Sequence, residues 1–305
     1  MRNHILALAV VLVLTFTMVV LPQDDQNPAK VSVNVVSVPL IITVTDSKGA
    51  LITGLKKEDF KIFEDERLQK TDTFVHEADL PLSIALLVDI SASTFSQLGF
   101  ERAAAKDFFA KVVKPHKDRA AVIGFDAKPR LMADFTDDLD KLNAGLQKLD
   151  AGGGTSVYDA VYQTAETRLS HESGDRRKVA ILIGDGYDTL SAYSLEEATQ
   201  MAQKHDVLIY AISVNEISNN PGNEKKEGNK ALQHLADQTG GKVFQPKTLE
   251  DLGTQFQKIE QELRSQYVLS YTPQNPFNGT SRKIRVELSN KKLIAHTRKT
   301  YIASK

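Results

Sequence analysis

Leu86-Leu87-Val88-Asp89-Ile90-Ser91-Ala92-Ser93 decides how this chain folds and where its chemistry sits. An uncharged apolar run of strand length ends on one carboxylate, with two hydroxyls following at alternate positions. Strands that are apolar throughout are buried on both faces, as in parallel sheets covered by helices. Oxygen donors without nitrogen or sulfur suit a hard divalent cation. Alone, Asp-x-Ser-x-Ser arises by chance in roughly one chain in fifteen of this length. The rest of the sequence must therefore supply the context.

Around that strand, residues 80–265 alternate in type. Apolar runs at Ser83–Ile90, Ala120–Phe125, Val179–Ile183 and Val207–Val214 are separated by helical periodicity at Phe100–Val113, Val157–Leu169 and Leu195–Lys204. This order predicts an α/β, doubly wound, mostly parallel sheet of Rossmann-like type, with helices on both faces. Ligands of such sheets gather at the carboxyl ends of the strands, and Asp89 stands at one. Two further segments reach the same edge. Gly152-Gly153-Gly154-Thr155-Ser156 precedes a helix, and Asp185 follows the strand Val179–Gly184. Asp89, Ser91, Ser93, Thr155 and Asp185 thus form a candidate ligand set, partly through retained water, for Mg²⁺ first and for Mn²⁺ or Ca²⁺ as substitutes.

The flanks read differently. Residues 31–79 carry β-branched clusters, the turn Asp46-Ser47-Lys48-Gly49 and a short strand at Phe60–Asp65, while residues 266–305 show period-two patterning near Gln266–Tyr271, Lys283–Leu288 and Leu293–Ile302. Neither flank makes a domain alone, so the two are expected to pair into one small β-sandwich with the central domain inserted between them. Asn215–Asn229, rich in Asn, Gly, Lys and Glu, reads as a solvated loop.

Met1-Arg2-Asn3-His4 followed by the apolar stretch Ile5–Leu21 predicts an export signal over residues 1–23, with a linker at 24–30. The large residues Val19, Val20 and Leu21 make a poor cleavage site, which leaves an uncleaved membrane anchor as the alternative. The expected location is outside the cytoplasm: periplasmic, cell-surface or secreted. A formal net charge of -1 offers nucleic acid no electrostatic footprint. Zero cysteines exclude disulfides, thiolate metal sites and thiol nucleophiles.

Asp-x-Ser-x-Ser, the later threonine and the later aspartate together resemble the metal-ion-dependent adhesion site (MIDAS) of von Willebrand factor type A (VWA) domains. The resemblance covers about residues 80–265 and includes the helix-to-strand segment Leu232–Phe244. The flanks around Leu55–Asp65 and Gln266–Tyr271 resemble a bacterial group of exported VWA-related proteins. The resemblance implies a binding module rather than an enzyme, with an Asp or Glu carboxylate of a partner protein completing the cation's coordination. It also implies a partner-binding rim at Gly153, Gly154, Ser156, Tyr187 and Asp188. Many relatives have Thr-Asp-Gly or Ser-Asp-Gly where this chain has Gly184-Asp185-Gly186, so a hydroxyl that would orient Asp185 is missing.

Enzyme chemistry finds little support. An aspartyl phosphotransferase wants a second carboxylate two residues after the first, and that position is Ser91. The glycine loop lacks the Lys-Ser/Thr ending of a nucleotide P-loop, and neither His-Glu-x-x-His nor Gly-x-Ser-x-Gly occurs. The blander alternative for the site is that Ser91, Ser93, Thr155 and Ser156 merely cap helices, in a structural or assembly protein whose metal site is degenerate. Asp126, Asp159 and Asp188 lie near the same loops and read as turn or helix-end residues.

Overall fold

The computed structural model describes residues 37–76, 80–92, 97–173, 176–217, 222–275 and 278–303. The stretches read as export signal (1–23) and linker (24–30), the strand reading of residues 31–36 and Ser93 lie outside them. Among the described residues no helix is long and apolar enough to cross a membrane.

In chain order the first strands are β1 (Val38–Thr45), β2 (Phe60–Glu64), β3 (Arg67–Gln69), β4 (Thr71–His76) and β5 (Leu82–Asp89). Then come α1 (Leu98–Val112), β6 (Arg119–Phe125), β7 (Pro129–Thr136), α2 (Leu139–Gln147), α3 (Val157–Thr167), β8 (Arg177–Gly184), α4 (Leu195–Lys204), β9 (Val207–Ser213), α5 (Gly222–Thr239), β10 (Val243–Phe244) and α6 (Leu252–Leu263). The chain closes with β11 (Tyr267–Tyr271), β12 (Ser281–Leu288), β13 (Ile294–His296) and β14 (Thr300–Ile302).

The six-stranded central sheet runs β10-β9-β8-β5-β6-β7. Every pairing is parallel except the edge strand β7, which runs antiparallel to β6. All eight residues of β5 are buried. Its side chains alternate between two cores: Leu82, Ile84, Leu86 and Val88 pack beneath α1, α2 and α6, whereas Ala85 and Leu87 pack beneath α3, α4 and α5. Burial on both faces is why the strand tolerates no outward polar row.

Both ends of the chain build a separate pair of antiparallel sheets, β13-β1-β11-β4 and β14-β12-β2-β3. One apolar core containing Leu40, Ile42, Ile62, Tyr267, Leu269 and Tyr301 lies between them. A β-sandwich thus forms from N- and C-terminal strands, as the flanking patterns predict. The chain leaves the sandwich by β4 and returns by β11, and these two are antiparallel neighbours with His76 paired to Tyr267. Buried polar groups hold the sandwich to the central sheet. Glu262 of α6 accepts hydrogen bonds from Thr43 of β1 at 3.3 Å and from Tyr210 of β9 at 3.1 Å. Gln266 donates to the same Thr43 and Tyr210 oxygens at 3.2 and 2.8 Å.

One segment differs from its sequence reading. The polar stretch expected as a loop over Asn215–Asn229 is helical from Gly222 onward, as the first turns of α5. Helix α5 buries Gly228, Ala231, Leu232, Leu235 and Ala236, so its apolar stripe begins late and its first turns carry no hydrophobic signature.

Candidate metal centre

Asp89 is the last residue of β5, and the register sets the ends of three strands side by side. Val88 pairs with Ile183 of β8, and Gly184 pairs with Ser213 of β9. The Asp89 side chain is fully buried, at 0% exposure, and Asp185, one residue beyond β8, is 3% exposed. Burial first and the negative charge of Asp185 second push the Asp89 carboxyl up to about 7. Ser91 folds back on the same group, its N–H donating to Asp89 Oδ1 at 2.9 Å, and is itself buried.

The glycine loop is tied to this strand end through backbone bonds: Gly152 N–H donates to Ile90 O at 2.7 Å, and Ala92 N–H donates to Gly153 O at 3.4 Å. A side chain at Gly152 is excluded, because its Cβ would fall 1.9 Å from Asp126 Oδ2. Thr155 follows, 6% exposed, with its carbonyl accepting from Thr189 N–H at 2.9 Å and Leu190 N–H at 3.0 Å. Those bonds stitch the glycine loop to the Asp185 loop. Asp89, Ser91, Thr155 and Asp185 therefore share one sheet edge, while Ser93 lies outside the described residues.

Helix capping does not account for the hydroxyls of Ser91 and Ser156. Helix α1 starts at Leu98 with Gln97 at its N-cap, well beyond Ser91. Ser156 occupies the N-cap of α3 yet makes no side-chain capping bond, and donates instead to Asp126 O at 2.8 Å.

The missing hydroxyl at position 184 has a steric reason. A Cβ there would lie 2.8 Å from Asp89 Cβ and 3.0 Å from Asp89 Oδ2, so the glycine makes room for the buried carboxylate. Asp185 is positioned by other means. Its Oδ1 accepts from Tyr187 N–H at 2.9 Å, and its carbonyl accepts from Asn215 Nδ2 at 2.7 Å. Asn215 also donates to Asn229 Oδ1 of α5 at 3.0 Å, and Gly228 lies so close that a Cβ would meet Asp185 O at 2.1 Å. Sequence reasoning missed Asn215, Gly228 and Asn229 because they belong to a stretch read as loop.

The expected rim is only partly a surface. Gly153 is exposed, and Gly154 and Tyr187 are half-buried. Ser156 is fully buried and its hydroxyl is committed to Asp126, which withdraws it from the rim. Asp188 accepts from Tyr158 N–H and Ser191 N–H, both at 3.1 Å, and so anchors the start of α3. Asp159 likewise accepts from Ala192 and Tyr193 N–H at 2.9 and 3.0 Å, and Asp126 is paired with Arg130 at 2.8 Å. Leu190, 54% exposed, packs against Gly154 and adds an apolar side chain to this edge. Glu101 of α1 is another buried carboxyl near Asp89, raised well above the usual range by burial and then by the Asp89 charge.

Among the described residues, no three or more of His, Cys, Asp and Glu are grouped as a metal cage. The donor set on offer has fewer charges: two carboxylates with neutral hydroxyls. It fits a hard dication that keeps part of its water, since a dication would offset burial and the Asp185 charge, the two causes that raise Asp89. Asp89, Ser91, Thr155 and Asp185 would hold such an ion, which would supply an electrophilic centre at this edge.

The fold and this edge define a VWA-type α/β domain. The family model for the von Willebrand factor type A domain matches residues 83–259, more than half of the chain, and the chain belongs to that family. No curated protein sequence matches it. Among solved structures, it is similar to proximal thread matrix protein 1 from the mussel byssus, with a zinc-occupied MIDAS motif. That likeness is at 16% identity and TM-score 0.52, covering 66% of this chain and 49% of the mussel protein. The vWF domain of the type V pili tip protein Mfa5 from Porphyromonas gingivalis matches at 15% identity and TM-score 0.50, over 62% of this chain and 96% of that one. This chain thus spans about half the length of the mussel protein, and both likenesses show the fold alone.

Proposed function

We propose that this chain is a non-enzymatic, exported, metal-dependent protein-binding or adhesion module. A divalent cation, Mg²⁺ foremost, is held by Asp89, Ser91, Ser93, Thr155 and Asp185 and takes an Asp or Glu carboxylate from a partner protein. The observation that carries this reading is the juxtaposition of Asp89 and Asp185, two buried carboxylates at neighbouring strand ends whose mutual repulsion a dication would relieve. With neutral hydroxyls as the remaining ligands, the ion keeps enough charge to attract a further carboxylate. The mussel protein's zinc-occupied MIDAS motif supplies a precedent on the same fold, and the pilus-tip domain supplies one for display outside the cell. Export rests on the leader-like residues 1–23.

Calorimetry with Mg²⁺, Mn²⁺ and Ca²⁺ tests the reading: the native chain should bind an ion and melt at higher temperature with it, and Asp89→Ala should do neither. Equal absence of ion binding in both would assign the fold to a structural or assembly role with a degenerate site. A mature N-terminus near residues 22–27 establishes cleavage of the leader, whereas intact Met1 in the membrane fraction establishes an anchor.

A further inference from the structure

Away from the metal edge, β10 closes the other side of the central sheet. Among the described residues it pairs with β9 alone, with Val243 opposite Ala211 and Ala211 N–H donating to Lys242 O at 3.0 Å. In a parallel ladder the groups facing a neighbour belong to alternate residues. Lys242 O and Phe244 N–H therefore face β9, and the N–H and C=O of Val243 face away from it. On that side lies a groove of about 560 Å³, lined by the strand from Lys242 to Gln245, by α6 and by the Lys48-Gly49 turn of the sandwich. Four lysines border it, Lys48, Lys242, Lys247 and Lys258. The carboxylate on its wall, Asp251, accepts from Lys247 and Thr248 N–H at 3.1 Å each, so it is already committed.

We infer that the β10 edge and its lysine-bordered groove bind an extended acidic segment of a partner protein, which adds to the sheet as a further strand. Strand addition obtains affinity from main-chain bonds and specificity from alternate side chains. Here Val243 offers one donor and one acceptor, and Lys48, Lys247 and Lys258 select carboxylates, Lys242 being paired with Glu262 at 3.9 Å. A phosphodiester chain would satisfy the charge but brings no donor for the Val243 carbonyl. A second copy of this edge would set lysine against lysine. Lysines at sheet edges also serve simply to block self-association, and the groove is the feature that blocking does not require.

The probe is a fluorescein-labelled peptide of alternating Glu and Val, measured by anisotropy on the full chain with EDTA present to silence any metal site. Saturable binding is expected, weakened about tenfold or more by Lys247→Glu combined with Lys258→Glu, and weakened by added salt. Proline at the peptide centre should abolish it, as should Val243→Pro, which removes the outward N–H, in protein shown by its melting transition to be folded. The Lys/Glu double variant keeps the question answerable if Val243→Pro fails to fold. No saturable binding at millimolar peptide would reduce the lysines to edge protection. Equal binding of the proline-interrupted peptide or of heparin would make the groove a bare polyanion site, and either result overturns the inference.

Discussion

Gly184 and Asp89 occupy neighbouring strand ends so closely that the glycine's missing side chain is the space in which the carboxylate stands, with 2.8 Å between the two Cβ positions were a methyl present. A residue absent on one strand thereby fixes the side-chain position of a residue on the next. Gly184→Ala should cost about 1–3 kcal/mol of stability by overpacking. It should also reduce the ion-induced rise in melting temperature, because Asp89 must swing away. Thermal melts in Mn²⁺ and in EDTA check both; an unchanged ion response would show that Asp89 has room to spare.

Acidity supplies a second expectation. The folded-state pKa of Asp89, about 7, lies above the ordinary 3.8, so its stability penalty is absent below pH 4, grows as pH rises through 7 and is constant beyond. In EDTA, Asp89→Asn should therefore be more stable than the native chain at pH 8, by up to a few kcal/mol, with the gap closing toward pH 5. With Mg²⁺ the order should reverse at pH 8. Chemical denaturation at several pH values reads the difference, and a pH-independent gap would contradict the assigned shift.

Gly228 offers a test in which a general rule changes sign. Alanine in place of a helix-interior glycine ordinarily stabilises by about 1 kcal/mol. Here the added Cβ would meet the Asp185 carbonyl at 2.1 Å and the Tyr187 nitrogen at 2.9 Å. Gly228→Ala is expected to destabilise and to weaken ion binding together, since the Asp185 loop must move. Calorimetry alongside urea denaturation would reveal a purely helical effect as a gain in stability with unchanged affinity.

A half-buried arginine paired with a buried aspartate secures the end of α6. Arg264 Nη2 lies 2.6 Å from Asp118 Oδ2, and Asp118 also accepts from Leu82 N–H at 2.9 Å and Lys114 N–H at 3.1 Å. Arg264→Met should cost about 1–3 kcal/mol, because the buried Asp118 loses a hydrogen-bond donor. The paired change Asp118→Asn with Arg264→Met should recover part of that loss, and its failure to do so would locate the cost elsewhere.

The two kinds of strand were unequally legible. Strands β5, β8 and β9 announced themselves because burial on both faces leaves near-continuous apolar runs, whereas β7, an antiparallel edge with mixed exposure, carries no such pattern. Helix α5 hid its first turns behind polar residues that face away from the core. At the candidate site, the placement of Asp89, Ser91, Thr155 and Asp185 on one sheet edge could be read from the sequence, since each lies just beyond a strand or just ahead of a helix. The supports could not: Gly184 looks like a lost hydroxyl until its distance to Asp89 is known, and Asn215 and Gly228 act on Asp185 across 30 and 43 positions of chain, as counted along the sequence.

The antiparallel pairing of β4 with β11 has a mechanical meaning. A force applied to the central domain pulls on both of its connections to the sandwich at once, and these leave from neighbouring strands. The load is shared between two anchorages, β4 at the sheet edge and β11, which is backed in turn by β1 and then β13. A domain slung from two adjacent ropes resists twisting as well as tearing, which a bead on a single linker does not.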